Sequence, residues 1–289
     1  MNVNDIEQFN QYRPLLFSIA YRMLCSQMEA EDMVQESFLR WQTVSTAEVQ
    51  SVKAYLTSVI TRLCIDHLRS AKVQRETYVG PWLPEPLVGD QPPGTDRSVA
   101  LAESLSMAFL VLLERLTPIE RAVFLLREVF DYDYSEIASI VDKSEANCRQ
   151  LVRRARQHIS AQRPRFDPIP EQQERLTVQF METCARGDMP GLLSLLADDI
   201  TVWSDGGGKV TAARRPIVGA DRVAHLFITI QSKIPPGLVT KAAWINGQPG
   251  LISYLNGQPE NVLIFDIAAG QIQTIYAVRN PDKLQRIPV

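Results

Sequence analysis

Arginine is concentrated in one short stretch of the 289-residue chain. Between Ala146 and Arg165 there are six arginines and no acidic residue, although the whole chain has a formal net charge of −3. Arginine can clamp phosphate or reach the edge of guanine, and asparagine or glutamine can read adenine. An acidic chain can therefore still bind nucleic acid through one basic element.

The spacing of these arginines predicts one exposed helical face, because Cys148, Val152 and Ala155 recur on the opposite, inward side together with Leu151. An arginine-rich face alone is usually a solvated surface. The elements around it must therefore indicate whether it binds nucleic acid. The side chains that we expect to meet DNA are Ser144, Asn147, Arg149, Gln150, Arg153, Arg154 and Arg156.

The elements before this face form a recognisable order. Thr117-Pro-Ile-Glu120 is a capping box with proline at the first helical position, and it predicts a helix through Phe130. Two shorter helices, 134–141 and 145–158, follow around the turn Asp142-Lys-Ser144. This is the helix-turn-helix pattern. Asp142 stands where glycine is usual, and aspartate tolerates a left-handed conformation better than most residues.

The first 75 residues predict a bundle of helices, since they contain no glycine and one proline. One helix has its apolar stripe at Ala30, Val34, Phe38 and Trp41. A second helix, over 52–71, has Tyr55, Val59 and Leu63 along its stripe, with Asp66 or His67 next. We expect helical structure to resume over 98–116.

Two proline-rich segments divide the chain. The segment 76–97 contains five prolines and three glycines and predicts a linker, and a second hinge lies at 164–170. A flexible spacer has no use for large apolar groups, so we expect Trp82 to Pro86 to dock on a surface; a plain extended spacer is the alternative.

Beyond the second hinge the pattern is α+β. Helices are predicted over 171–185 and 189–197, the latter capped by Asp188. Strands are predicted at 200–204, 238–246, 251–256, 262–267 and 272–278, and Asn-Gly recurs at 246 and 256 between them. Because Asn-Gly is a strong hairpin signal, the last four strands should form an antiparallel meander covered by the helices.

Composition excludes several classes of protein. The chain is 45% hydrophobic and 22% charged, which is typical of globular domains and not of disordered or fibrous chains. Cys25, Cys64, Cys148 and Cys184 are far apart and suggest buried thiols in a reducing compartment. With neither a secretory signal nor a long apolar run, we expect a cytoplasmic protein without metal or cofactor.

Several blocks resemble extracytoplasmic-function (ECF) sigma factors of bacterial RNA polymerase. They are EAEDMVQESFLRW at 29–41, AYLTSVITRLCIDHLR at 54–69, LTPIERAVFLLR at 116–127, and SEIASIV at 135–141 followed by Ala155-Arg156. The resemblance implies a region 2 helical bundle at 1–75, the linker at 76–97, and a region 4 helix-turn-helix at 98–163.

Three further motifs resemble the subgroup with a fused C-terminal SnoaL-like (NTF2-like) domain, the SigJ or ECF41 type. This implies a cone-shaped α+β regulatory domain at 171–289, after the hinge. The motif residues, which we expect to make regulatory contacts, are Trp82, Leu83, Pro84, Glu85, Pro86, Asp205, Gly206, Gly207, Gly208, Lys209, Asn280, Pro281, Asp282, Lys283 and Leu284.

The resemblance also assigns roles in region 2. The clamp helices of the core polymerase would bind Asp32, Gln35, Glu36, Phe38 and Leu39. The opened downstream promoter element would face Arg62, Asp66, His67, Arg69 and Lys72, and the loop 43–52 would hold an extruded base. An acidic and apolar face is also suited to a basic partner on charge grounds alone.

We therefore expect a non-enzymatic transcription initiation factor whose fused domain modulates its activity. Alternatives are a SnoaL-like enzyme, a ligand-sensing helix-turn-helix regulator, or a repressor that needs no polymerase. A small molecule could occupy a pocket near Trp203 and Asp205. The groups open to catalysis in the C-terminal domain are Asp205, His225, Tyr254, Asp266 and Tyr276.

Overall fold

The structure, a computed structural model, describes residues 3–44, 49–76, 78–89, 104–160 and 170–288. These residues divide into two compact units. The helical unit takes in the described residues up to 76, residue 104 and residues 109–160. The C-terminal unit takes in 78–89, 105–108 and 170–288, so the described part of the predicted linker belongs to it.

The helical unit begins with three helices that pack on one another. They are α1 (Val3–Leu24), α2 (Gln27–Gln42) and α3 (Val52–Glu76). Ser26 caps α2 by accepting a hydrogen bond from the Glu29 backbone at 3.3 Å. Large side chains such as Leu16, Met23 and Trp41 are fully buried between the helices.

The buried face of α2 differs slightly from the predicted stripe. Ala30, Val34 and Trp41 are buried as predicted, but Ser37 takes the fourth buried position. Its hydroxyl donates to the carbonyl of Val34 at 2.8 Å, which satisfies the polar group inside the bundle. Phe38 is only half-buried and makes an edge contact with Phe9.

The predicted stripe of α3 was wrong by one position. Leu56, Ile60 and Cys64 are buried, whereas Tyr55, Val59 and Leu63 are half-buried. The helix packs against α1 and α2 and also against two later helices, so contacts from several directions set its buried face. It also runs to Glu76, past the predicted end.

Four further helices follow, α4 (Met107–Leu113), α5 (Pro118–Glu128), α6 (Tyr134–Val141) and α7 (Glu145–Ser160), and from residue 109 onward they belong to the helical unit. Residues 104–106 form a turn, so α4 begins later than the predicted 98, and residues 98–103 lie outside the described part. The predicted capping box at Thr117 and Glu120 is present. Helix α5 ends at Glu128, two residues before Phe130.

The turn between α6 and α7 has the conformation predicted for it. Asp142 is left-handed, with φ 53° and ψ 57°. The Ser144 hydroxyl accepts from the Asn147 backbone at 3.3 Å and begins α7. Cys148, Val152 and Ala155 of α7 are buried, as the helical spacing predicts.

The two halves of the helical unit are joined by buried polar contacts. The hydroxyls of Thr57 on α3 and Tyr132 before α6 are 2.9 Å apart. The guanidinium of Arg121 on α5 donates to the carbonyl of Met23 at the end of α1 and pairs with Glu114 at 2.7 Å. The two halves of the helical unit are therefore packed on each other.

The C-terminal unit is a seven-stranded sheet with helices. Its helices are α8 (Pro170–Arg186), α9 (Met189–Leu195), α10 (Ala220–Gln231) and α11 (Pro281–Leu284). Its strands are β1 (Val88–Gly89), β2 (Leu196–Asp205), β3 (Ile217–Val218), β4 (Leu238–Ile245), β5 (Gln248–Leu255), β6 (Gln258–Ala268) and β7 (Gln271–Val278). Residues 164–169 of the predicted hinge lie outside the described residues.

The strand order β1-β4-β5-β6-β7-β2-β3 contains the predicted antiparallel meander β4 to β7. Both Asn-Gly turns place the asparagine at positive φ, 53° at Asn246 and 50° at Asn256. Asp188 caps α9 as predicted, accepting from Gly191, but this helix ends at Leu195 and β2 follows at once. Two short strands, β1 and β3, were not predicted.

The two faces of the sheet are buried by different partners. One face carries Val202, Leu263 and Phe265, which pack with Phe180 of α8 and Phe227 of α10 in a single core. By strand alternation Trp203 and Asp205 lie on the other face. That face holds the linker residues, as the next section describes.

Candidate promoter, polymerase and linker sites

Helix α7 presents the predicted basic arc to solvent. Gln150, Arg153 and Arg154 are exposed. Arg149 pairs with Glu145 at 2.7 Å and lies 5.0 Å from the ring centre of Tyr134, and Arg156 binds both carboxylate oxygens of Glu128. Both ion pairs are exposed, and water and salt weaken such pairs. They orient the arginines but leave them available to a partner such as DNA.

The predicted polymerase face on α2 is accessible. Asp32, Gln35 and Leu39 are exposed, and half of the Leu39 side chain surface faces solvent. Glu36 forms an ion pair along the helix with Arg40 at 3.1 Å. An exposed leucine beside carboxylates is what a basic, partly apolar partner surface would complement.

The end of α3 carries the other residues that were predicted to face the opened promoter. Asp66 and Arg69 are exposed and pair with each other at 3.3 Å. His67 is half-buried, and its Nε2 is 3.3 Å from Glu29 Oε1. The Lys72 side chain lies outside the described part of the chain, as do residues 45–48 of the predicted base-holding loop.

Arg62, which was predicted to face the opened promoter, is exposed and also contacts the end of another helix. Its guanidinium donates to the carbonyls of Ile140 at 2.8 Å and Ser139 at 3.1 Å. These carbonyls end α6, where the backbone lacks further helical donors and carries partial negative charge. In this arrangement Arg62 joins α3 to the end of α6.

The contact predicted between the linker and the C-terminal motifs is present around one carboxylate. Asp205, at the end of β2, is fully buried. It accepts hydrogen bonds from Tyr78 at 2.6 Å, the Leu83 backbone at 2.9 Å and the Gly207 backbone at 3.0 Å. Lys283 of α11 forms an ion pair with it at 2.8 Å. A buried charge is tolerated when it is paired and hydrogen-bonded in this way.

Lys283 connects the tail to the linker in a second way. Its ammonium donates to the carbonyl of Leu83 and lies 4.1 Å from the ring centre of Trp82. The ring of Tyr78 is 5.2 Å away. The linker side chains from Leu83 to Pro86 are buried. Residues 78–86, Asp205 and Lys283 together are called the linker clamp below.

Close contacts explain why glycine follows Asp205 in the sequence. Gly207 has φ 61°, and a Cβ there would lie 2.4 Å from the side chain of Asn280. Gly206 would bring a Cβ to 2.6 Å from the carbonyl of Val210. Asn280 caps α11 and donates to the Tyr78 hydroxyl at 2.9 Å, while Lys209 pairs with Asp282 at 2.6 Å on the surface. The glycine run therefore allows the tail to approach closely.

The five groups considered for catalysis do not converge. Asp205 is committed to the linker clamp, His225 is exposed with its Nδ1 2.7 Å from the Asp221 carbonyl, and the Tyr254 hydroxyl donates to Pro288. Burial raises the pKa of Asp266 to about 6. Tyr276 is buried in the sheet.

A cavity in this unit lies elsewhere than predicted. It is lined by Val202 and Ser204, and not by Trp203 and Asp205, because alternate residues of β2 face opposite sides of the sheet. None of the five candidate groups lines it. All four cysteines are buried and free, and among the described residues no cluster of metal-binding side chains occurs.

Comparison with known proteins identifies the two helical regions. The profile of Sigma-70 region 2 matches residues 8–73, and that of Sigma-70 region 4 matches residues 106–159. The ECF RNA polymerase sigma factor SigJ of Mycobacterium tuberculosis is 35% identical over 99% of this chain and 95% of its own. The chain belongs to the ECF sigma factors.

Other comparisons support the same family. The probable sigma factor SigI of the same organism is 33% identical over 94% of this chain and 92% of its own. The crystal structure of M. tuberculosis SigJ has a TM-score of 0.76 at 32% identity and covers 98% of both chains. This sigma factor directs transcription initiation by RNA polymerase. Within its described residues, no helix has the length and apolar composition needed to cross a membrane.

Proposed function

We propose that this sigma factor reads its promoters with the exposed arc of α7. The observation that carries the proposal is the solvent-facing set Gln150, Arg153 and Arg154 on the second helix of a capped helix-turn-helix. Ser144, Asn147, Arg149 and Arg156 flank it. The first residues of such a helix reach bases in the major groove, and the outer arginines bind phosphate.

Run-off transcription with purified core polymerase tests this reading. Arg153→Ala should reduce output from the cognate promoter, whereas Arg175→Ala, an exposed arginine of α8, should not. Output that requires no added sigma factor, or that is unchanged by Arg153→Ala, would contradict the assignment. A repressor that works without polymerase would give no transcript in this assay.

We propose that the acidic face of α2 binds the clamp helices of core polymerase. Asp32, Gln35, Glu36, Phe38 and Leu39 form this face, and Asp66, His67 and Arg69 of α3 would meet the opened promoter. The double change Asp32→Ala and Glu36→Ala should weaken capture of core polymerase while circular dichroism stays normal. Glu171→Ala with Glu174→Ala in α8 removes the same charge elsewhere and serves as the control.

We further infer that the C-terminal unit controls the chain between the two sigma regions. The support is the linker clamp, in which Asp205 and Lys283 hold residues that separate region 2 from region 4 in sequence. An intramolecular contact of this kind has a high effective concentration, so even a weak one is largely formed. Fixing the linker limits how far apart region 2 and region 4 can lie. We propose that this control acts in the cytoplasm, where the polymerase works.

Two deletions and one substitution test the control role. Removing 171–289 abolishes the domain, and removing the tail from Asn280 deletes only Lys283 and its neighbours, so the two should change promoter output differently. Lys283→Met should behave like the tail deletion, with Lys241→Met, a change to an exposed lysine of β4, as the control. Unchanged output and polymerase affinity for all of them would refute control by the domain.

The cavity chemistry favours a non-enzymatic C-terminal unit over the SnoaL-like enzyme alternative. Carboxylate and histidine general bases line no part of its buried interior, since Glu260 is the single acid among the lining residues and is exposed. General acid–base catalysis needs such a group within hydrogen-bond reach of the substrate.

A further inference from the structure

The C-terminal unit contains a cavity that the linker clamp does not use. Its volume is about 520 Å³, within the range of ~300–1,000 Å³ that ligand sites have. Helices α8 and α10 form one wall and the sheet forms the other. The apolar side chains of the helical wall are Phe180, Met181, Leu226, Phe227 and Ile230.

The sheet presents two rows of side chains to this cavity. In one row Leu251, Leu263 and Ala277 are neighbours on β5, β6 and β7. In the next row, two positions along the strands, Thr240, Ser253 and Asn261 are neighbours on β4, β5 and β6. The cavity therefore has an apolar body with a polar strip across one end.

One atom of the polar strip lacks a partner. The side-chain oxygen of Asn261 is buried, and no described residue donates a hydrogen bond to it. The adjacent hydroxyls of Thr240 and Ser253 bond to each other at 2.9 Å. A buried acceptor without a donor costs free energy, so Asn261 needs a donor from whatever occupies the cavity.

The apolar body of the cavity is unsuited to a charged ligand. Lys233 and Glu260 are exposed at the rim, and the Arg279 guanidinium donates to the carbonyl of Thr211. Burial raises the pKa of the Cys184 thiol to about 12, so this thiol is neutral at physiological pH. A charge carried to the apolar row of Leu251, Leu263 and Ala277 would lose water without gaining an ionic partner there.

We propose that the cavity binds an uncharged, mainly apolar molecule that has one hydroxyl or amide N–H group, and that Asn261 accepts the hydrogen bond from that group. The apolar body of the ligand lies against Leu251, Leu263 and Phe227. This site is separate from the roles proposed for α2, α7 and the linker clamp. Its test therefore measures binding and does not depend on transcription.

Displacement of the fluorescent probe 1-aminoanthracene from the full-length protein measures the affinity of defined competitors. 1-Dodecanol can donate a hydrogen bond, 1-methoxydodecane cannot, and dodecanoate adds a charge. The alcohol should bind about three- to tenfold more tightly than the ether, which is the effect of one net hydrogen bond. Dodecanoate should bind more weakly than the alcohol.

Variants locate the preference for a donor. Asn261→Leu should still bind the alcohol and the ether, but with equal affinity. Gln258→Leu makes the same kind of change at an exposed position of β6 and should keep the wild-type ratio. If Asn261→Leu fails to fold, the ratio of alcohol to ether in the wild-type protein still decides the donor preference.

Three results would overturn the proposal. They are equal affinity of the wild-type protein for alcohol and ether, tightest binding of dodecanoate, and failure of every competitor to displace the probe. A loss of the preference in Gln258→Leu as well would place the ligand outside the cavity.

Discussion

The charged groups of α7 and those of the linker clamp differ in how they are paired. Arg149 and Glu145 expose 56% and 45% of their side chains, whereas Lys283 and Asp205 expose 12% and 0%. Exposed pairs contribute little to stability and can exchange for a phosphate. A buried pair is costly to break, so it holds two segments of one chain together. The exposed charges of α7 are therefore available to a partner such as DNA, whereas the buried charges of the linker clamp bind two segments of the same chain.

The largest effect should come from removing the buried charge. Asp205→Asn leaves Lys283 without its carboxylate and should lower the unfolding free energy of the C-terminal unit by about 3–5 kcal/mol. Denaturant unfolding followed by tryptophan fluorescence measures it. Lys209→Ala breaks an exposed pair and should cost about 1 kcal/mol or less. Equal losses for the two variants would remove the contrast between buried and exposed pairs.

The next largest effect should be a gain in stability at pH 8 when Asp266 is replaced. Burial raises the pKa of Asp266 from 3.8 to about 6, so the folded state binds the proton more tightly than the unfolded state does. The contribution of Asp266 to stability is therefore most favourable below about pH 4 and is lost as the pH rises through 6. Asp266→Asn should be more stable than wild type by about 3 kcal/mol at pH 8 and similar at pH 4.

Parallel thermal or denaturant unfolding of the two proteins across this pH range measures that difference. A gap between Asp266→Asn and wild type that does not change with pH would show that the Asp266 carboxyl is not the cause. It would then reflect packing around the side chain.

A smaller effect is expected at the promoter. Arg153→Ala should weaken binding to the cognate promoter by about 1–3 kcal/mol if the arginine reads a base, with less effect on random DNA. Fluorescence anisotropy at several salt concentrations separates the two roles. Equal loss on every sequence would show a phosphate contact alone, and no loss would remove Arg153 from the interface.

An effect of similar size should come from the contact between the sigma regions. Thr57→Val removes one partner of the buried hydroxyl pair and leaves Tyr132 unsatisfied, which should cost about 1–3 kcal/mol in the helical unit. Tyr132→Phe in the same protein should recover part of this loss, since both polar groups are then absent. A double-mutant cycle that shows no coupling would mean that this hydroxyl pair does not join the two regions.

Much of the local structure could be predicted from the sequence. The capping box at Thr117, the left-handed Asp142 and the Asn-Gly turns at 246 and 256 each depend on a few adjacent residues. Their backbone chemistry is satisfied within one turn, so no distant contact has to be known. The exposed arc of α7 was predictable for the same reason, because helical geometry alone places its residues.

Contacts between distant segments are what the sequence could not predict. The buried face of α3 depends on α5 and α6 as well as on its nearest neighbours, so its own periodicity was misleading. Arg62 binds carbonyls nearly eighty residues away, which no spacing rule anticipates. The unpartnered Asn261 becomes visible only when β4, β5 and β6 are in register.

Thus the sequence by itself determined which helices form, where the hairpins turn, which face of α7 is basic, and that Trp82 to Pro86 is more than a spacer. Only the tertiary structure decided that Asp205 and Lys283 hold the linker, and that the cavity opens on the other face of β2. The reason is physical. Local conformation follows from short-range sterics and hydrogen bonds, whereas the partner of a buried charge is chosen by whichever distant group the fold brings within about 3 Å of it.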